Sequence, residues 1–140
     1  MVTVRKTEES DLPIVQEWAQ RRGCAIYPAL LSPHGFMALH DDRPIMSAWA
    51  VFLMDCPIVQ VDHVYLPRRF DVAAAHQAWE LLLSTIRTFV ENVNASGGFS
   101  YSVIEIMINP TMAVTCRATG GNVSVSQYQK CHYPVEPYGT

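Results

Sequence analysis

The chain has no apolar run approaching the roughly 20 residues that span a bilayer. Its longest, Ala48–Met54, has the length of a strand. No run of like charges exceeds two residues, so a charged tail is excluded. Basic residues are few. Ten Lys plus Arg stand against 13 Asp plus Glu, a formal charge of −3. General nucleic-acid binding is therefore not expected, because it needs a basic footprint. The four cysteines, Cys24, Cys56, Cys116 and Cys131, contain no C-x-x-C pair, so the paired ligand spacing of structural zinc is missing and no metal is expected. Two disulfides are open on number alone. No secretory apolar segment stands at the N-terminus, and the cysteines are read as reduced thiols of a cytoplasmic protein. G-x-S-x-G, P-loop and H-E-x-x-H motifs are all lacking.

What is present suffices for one core. Hydrophobic residues make up 49% of 140 residues, a common single-domain size. One domain over residues 1–140 is expected, with 134–140 as a loosely ordered tail. Val2–Val4 opens as a strand. Ser10 or Asp11 offers a cap to a first helix, whose apolar positions Leu12, Val15, Trp18 and Ala19 recur at helical spacing. Arg21 and Arg22 suit the negative end of its dipole and Gly23 stops it. After an irregular stretch with a short helical turn near Tyr27–Leu31, a hairpin is expected. It comprises Phe36–His40, a turn at Asp41–Pro44, and Ile45–Leu53. A fourth strand follows from Ile58 to Leu66.

Asp71 should cap a long helix over about residues 72–93. Ala75, Ala78, Trp79, Leu82, Ile86, Phe89, Val90 and Val93 form its apolar stripe, which places the tryptophan in the core. A fifth strand at Val103–Ile108, a helix from Pro110 to Thr119 with Asn109 as cap and Gly120 as stop, and a closing strand from Val123 to Tyr128 complete the order. The expected class is α+β, a central mixed sheet flanked by about three to four helices.

That order, with its landmarks, resembles the GNAT superfamily of acyl-CoA N-acyltransferases over most of the chain. Arg5 and Asp11 before the first helix are similar to the family's opening. Val64-Tyr65-Leu66-Pro67 before a long helix resembles the passage that holds acyl-CoA. Asn109, eleven positions before Gly120, is similar to the family's fifth-strand Asn and the Gly after its last helix. The resemblance implies parallel fourth and fifth strands, splayed apart at their C-terminal ends to admit an acyl arm. A different small α+β domain would lack that parallel pair.

The resemblance also implies chemistry. Acetyl-CoA is the expected acyl donor and cofactor, held by the backbone of Val64, Tyr65 and Leu66. Its diphosphate would lie in the loop from Arg68 to Gln77, with Asn109 nearby in the family's order. Backbone N–H groups at a helix start suit phosphate. The family's Q/R-x-x-G-x-G/A signature falls on Ala73–Ala78. His76 stands at the first Gly position, Ala74 and Gln77 lie within the segment, and only the small residue Ala78 is kept. Arg68 and Arg69 could replace the lost positive charge.

An amine attacking a thioester needs a base. On a regular fourth strand Asp62 and His63 point to opposite faces, and either could serve; imidazole exchanges protons near neutrality. Glu105 is a lesser candidate. Cys116 occupies the family's Tyr position, seven residues after Asn109, where an acid protonates the leaving thiolate; a small buried core residue is the alternative reading. Little chain follows Gly120, so the family's last strand pair is expected to reduce to one strand. Cys131-His132 are adjacent and face apart on a strand, so a nucleophile–base pair is not expected there.

The expected partners are acyl-CoA and an amine acceptor, small molecule or protein, with a homodimer left open and neither nucleic acid nor membrane involved. The rival reading is a non-catalytic binding or regulatory module of the same fold, similar to compact chains encoded by bacteriophages.

Overall fold

The computed structural model describes residues 1–107, 116–118, 120–123 and 130–135. Seven strands are described: β1 (Val2–Lys6), β2 (Gly35–His40), β3 (Arg43–Phe52), β4 (Ile58–Tyr65), β5 (Val103–Met107), β6 (Asn122–Val123) and β7 (Lys130–Pro134). They form one sheet in the order β1-β2-β3-β4-β5-β7-β6. Two long helices, α1 (Leu12–Gln20) and α2 (Val72–Ala95), and helical residues 116–118 accompany them. Contacts divide the chain into two compact units, Met1–Ala50 with His63–Leu83, and Val51–Asp62 with Ser84–Thr140.

In the first unit β1 pairs antiparallel with β2, from Val2↔His40 to Lys6↔Phe36. The β2–β3 hairpin closes on two residues rather than the four expected. Asp41 and Asp42 both take positive φ, 49° and 65°, as a two-residue primed turn demands and as short acidic side chains tolerate. Arg43 and Pro44 therefore belong to the strand. α1 ends as read: Gly23 takes φ 73°, and the Cys24 N–H reaches back to the Ala19 carbonyl at 3.0 Å. The expected helical turn is a short 3₁₀ segment, Pro28–Leu30. Val15, Trp18, Ala19, Ile26, Met37 and Trp49 form the core of this unit, with Tyr65 and Leu39 packed against it.

The start of α1 differs from expectation. Asp11 makes no side-chain cap on α1; its carboxylate instead closes a capping box with Glu8 at the preceding 3₁₀ turn, Glu9–Asp11. Its carboxylate, almost fully buried, accepts two bonds from the Arg5 guanidinium at 2.6 and 3.0 Å and one from the Glu8 N–H at 2.7 Å. A forked guanidinium offers more to a buried carboxylate than a single helix N–H. Burial by itself raises the Asp11 carboxyl, but the Arg5 and Glu8 hydrogen bonds and the Arg5 charge outweigh it and hold the group below its ordinary value of 3.8. A depressed carboxyl contributes stability above its unfolded pKa, and loses it as pH falls through the folded value. Asp11→Asn should therefore cost about 1–3 kcal/mol at neutral pH. The gap between the variant's and the wild-type melting temperature should close below pH 3.8. A gap that stays constant into that range would contradict this account.

In the second unit β4 and β5 run parallel, in register from Ile58↔Val103 to Val61↔Ile106. β5 pairs antiparallel with β7 from Val103↔Pro134 to Met107↔Lys130, and β7 with β6. The expectation of a single closing strand is thus corrected. Of the expected closing strand, Val123 ends β6 and residues 124–128 lie outside the described residues, while β7 pairs beside β5. Tyr133 and Cys131 are its fully buried residues, so the signal for β7 was alternation over few residues. Val135 is also buried, and its N–H bonds the Ser102 carbonyl at 2.9 Å. Phe52 stacks edge-on with Tyr101 at 4.9 Å and Phe89 at 5.8 Å. Asn94 seals the exit of α2 by exchanging two 2.8 Å bonds with the Tyr101 backbone.

α2 is capped as read: the Asp71 carboxylate accepts the Ala74 N–H at 2.8 Å. Five residues of its predicted stripe, Ala78, Trp79, Leu82, Ile86 and Val90, are buried. Most of the helix expected from Pro110, Ile108 on the far side of the expected wedge, and residues 136–140 lie outside the described residues.

Candidate functional site

β4 does not run straight through its candidate residues. Past Val61 the alternation fails, because His63 takes a left-handed backbone with φ 52°. A non-glycine residue there costs of order 1 kcal/mol and needs support. Ser47 on β3 supplies it. Its hydroxyl donates to the His63 carbonyl at 2.9 Å and accepts the Tyr65 N–H at 3.3 Å. The serine hydroxyl thus satisfies one backbone carbonyl and one backbone N–H on either side of Val64. The consequence is local. Asp62 is exposed, while His63, Val64 and Tyr65 are all half-buried. The imidazole lies edge-on to Trp49, ring centroids 6.0 Å apart at 89°, and 6.0 Å from the Tyr65 ring.

Leu66 and Pro67 lead from β4 into exposed Arg68, Arg69 and Phe70, then α2. Among the described residues neither Arg68 nor Arg69 makes an ion pair. The segment Ala73–Ala78 already lies within α2. Ala74 is buried with its N–H given to Asp71, and the Ala75 N–H bonds the Asp71 carbonyl at 2.9 Å. His76 and Gln77 are exposed.

Beside Arg68 the first unit holds two adjoining hollows. One, of ≈ 440 Å³, is lined by Glu17, Trp18, Arg21, Pro67, Arg68 and Arg69. The other, of ≈ 500 Å³, is lined by Trp18, Arg21, Arg22, Leu66 and Arg68. Sequence reasoning placed Arg21 and Arg22 at a helix dipole and missed this convergence. No local signal marks it, since α1 and the β4–α2 connection meet only through tertiary packing.

The remaining candidates belong to the second unit. Glu105, 8% exposed, accepts from the Gln60 side chain at 3.3 Å, its register partner on β4. Cys116 is fully buried, and its carbonyl accepts from Tyr133 Oη at 3.3 Å and the Gly121 N–H at 2.8 Å. Neighbouring Cys131 has its thiol pushed up to about 12, chiefly by burial. None of the four cysteines is in a disulfide. Asn109 lies outside the described residues. Among the described residues no group of three His, Cys, Asp or Glu side chains could hold a metal, and no helix is long and apolar enough to cross a membrane.

No protein-family model matches the chain, and no curated protein matches it in sequence. Solved structures do resemble it. The ribosomal-protein-S18-alanine N-acetyltransferase of Escherichia coli superposes with a TM-score of 0.72 at 12% identity, over 99% of this chain and 97% of that one. A GNAT superfamily phosphinothricin acetyltransferase of Sinorhizobium meliloti, solved with AcCoA, gives 0.71 at 16% identity over 99% and 91%. The PaiA N-acetyltransferase of Thermoplasma acidophilum, solved with coenzyme A, gives 0.66 at 11% identity over 96% and 99%.

Proposed function

This chain has the fold of the GNAT acyl-CoA N-acyltransferases, and on that premise we propose that it transfers an acetyl group from acetyl-CoA to an amine. The observation that carries the reading is the parallel β4–β5 pair in an otherwise antiparallel set of described pairings, with the left-handed His63 near the end of β4 and the connection 66–71 leading on to α2. The backbone of Val64, Tyr65 and Leu66 would take the pantetheine amides. The connection from Arg68 to Gln77 would take the diphosphate, with Arg68 and Arg69 supplying charge that the counted signature lacks. Asn109 keeps the place that the resemblance assigns it.

The chemistry balances within the chain's own groups. The amine nitrogen forms a bond to the thioester carbonyl carbon, and the carbon–sulfur bond breaks. His63, or Asp62 through water, accepts the amine's proton. A proton returns to the CoA sulfur, and Cys116 is assigned to it by its place in the family's order.

One observation favours the rival, a non-catalytic module of the same fold. Asp71 brings a carboxylate to the start of α2 and already occupies the Ala74 N–H, where a phosphate would seek a donor. Calorimetry separates the two readings. Acetyl-CoA should bind with a dissociation constant below about 1 mM, within the usual range for enzyme substrates. No heat at millimolar ligand would remove the acyltransferase and leave the module.

A further inference from the structure

The hollows beside α1 gather positive charge that the chain itself does not neutralise. Four of its ten Lys and Arg residues, Arg21, Arg22, Arg68 and Arg69, line them. The one carboxylate in the lining, Glu17, is engaged by Arg21 at 2.8 Å. Among the described residues no ion pair involves Arg22, Arg68 or Arg69. Four guanidiniums less one carboxylate leave three net positive charges, in a chain whose formal charge is −3. A helix dipole accounts for Arg21 and Arg22 at the C-terminal end of α1. It does not account for Arg68 and Arg69, which come from another segment. Like charges so placed repel one another, and an anion between them relieves that repulsion. The hollows, ≈ 440 and ≈ 500 Å³, have the size of small-molecule sites. Trp18, buried and common to both, adds an apolar wall. Guanidinium forks match carboxylate and phosphate oxygens in pairs.

We propose that this arginine-lined pocket binds a carboxylate or phosphate group separate from the cofactor's own phosphates. The distinction rests on Arg21 and Arg22, which follow α1 and lie outside the connection into α2 to which the diphosphate is assigned, while Arg68 and Arg69 border both groups. Resting on the acyltransferase reading, the group belongs to the acceptor, which is then an amine that also carries an acid function.

The test is calorimetry of the full chain with inorganic phosphate at constant ionic strength, with and without saturating acetyl-CoA. The double variant Arg21→Gln/Arg22→Gln changes only exposed side chains. It should weaken phosphate binding at least about tenfold, while Arg43→Gln, an exposed arginine on the hairpin, should change it less than about twofold. Saturating acetyl-CoA should shift it less than about threefold. In acetyl transfer, acidic amines should be preferred over matched neutral amines by at least about tenfold, and the double variant should lose that preference. Absent phosphate binding, or equal loss in Arg43→Gln, overturns the pocket. Displacement by acetyl-CoA assigns it to the cofactor and overturns the separate site. Equal rates with neutral and acidic amines overturn the acceptor assignment. Phosphate binding that obeys the variants, in a chain that gives no heat with acetyl-CoA, upholds the anion site and removes the acyltransferase reading instead.

Discussion

Gly35→Ala is expected to destabilise the protein by about 3 kcal/mol and to lower its melting temperature by roughly 10 °C. Gly35 opens β2 opposite Trp49 on β3. A Cβ there would overlap the Trp49 indole and stand 2.5 Å from Thr7 Oγ1. Trp49 is 2% exposed and belongs to the core of the first unit, so it has little room to withdraw. A tightly packed interior answers such an insertion with off-rotamer side chains or a backbone shift. The strain also reaches the candidate site, because the same indole meets the His63 ring edge-on. Thermal unfolding followed by circular dichroism checks the stability, and near-ultraviolet spectra check the tryptophan. A variant within about 0.5 kcal/mol of wild type, the range of an ordinary surface change, would contradict this packing.

The second large effect is on turnover. His63→Asn should lower kcat/KM for acetyl transfer by roughly a hundredfold, about 2.7 kcal/mol of transition-state stabilisation, with little loss of folded stability. Asparagine suits the test because it accepts a left-handed backbone almost as readily as glycine does. The backbone bridged by Ser47 should therefore survive, while the proton acceptor and the ring contacts with Trp49 and Tyr65 are lost. Asp62→Asn on the exposed neighbour is the comparison that apportions the role. A hundredfold loss in Asp62→Asn with less than a threefold change in His63→Asn would transfer the base to Asp62. If neither variant changes the rate by more than about threefold, proton removal does not pass through β4.

The long helix was legible because its apolar positions repeat with the period of an α-helix, and five of them are buried. The parallel β4–β5 pair was legible only through the resemblance to a family. Ile58–Tyr65 and Val103–Met107 show strand character locally, but nothing local states which strand each one meets. The left-handed backbone at His63 was not legible. No local sequence pattern asks for a positive φ in the middle of a strand, and the support for it lies on another strand, in the Ser47 hydroxyl that bridges His63 and Tyr65. Asp11 misled for a related reason. Its sequence position suits a helix cap, but the chain brings Arg5 to it, and the charge-assisted fork wins.

What the amino-acid order determined by itself is the succession of elements, the face that α2 buries and the places where helices stop. These follow from periodicity and backbone preference, which act over a few residues. Tertiary structure alone decided the second closing strand, the irregular backbone beneath the candidate base and the meeting of Arg21 and Arg22 with Arg68 and Arg69. Each of these depends on groups distant along the chain coming within a few ångströms, and such proximity is created by packing rather than by local pattern.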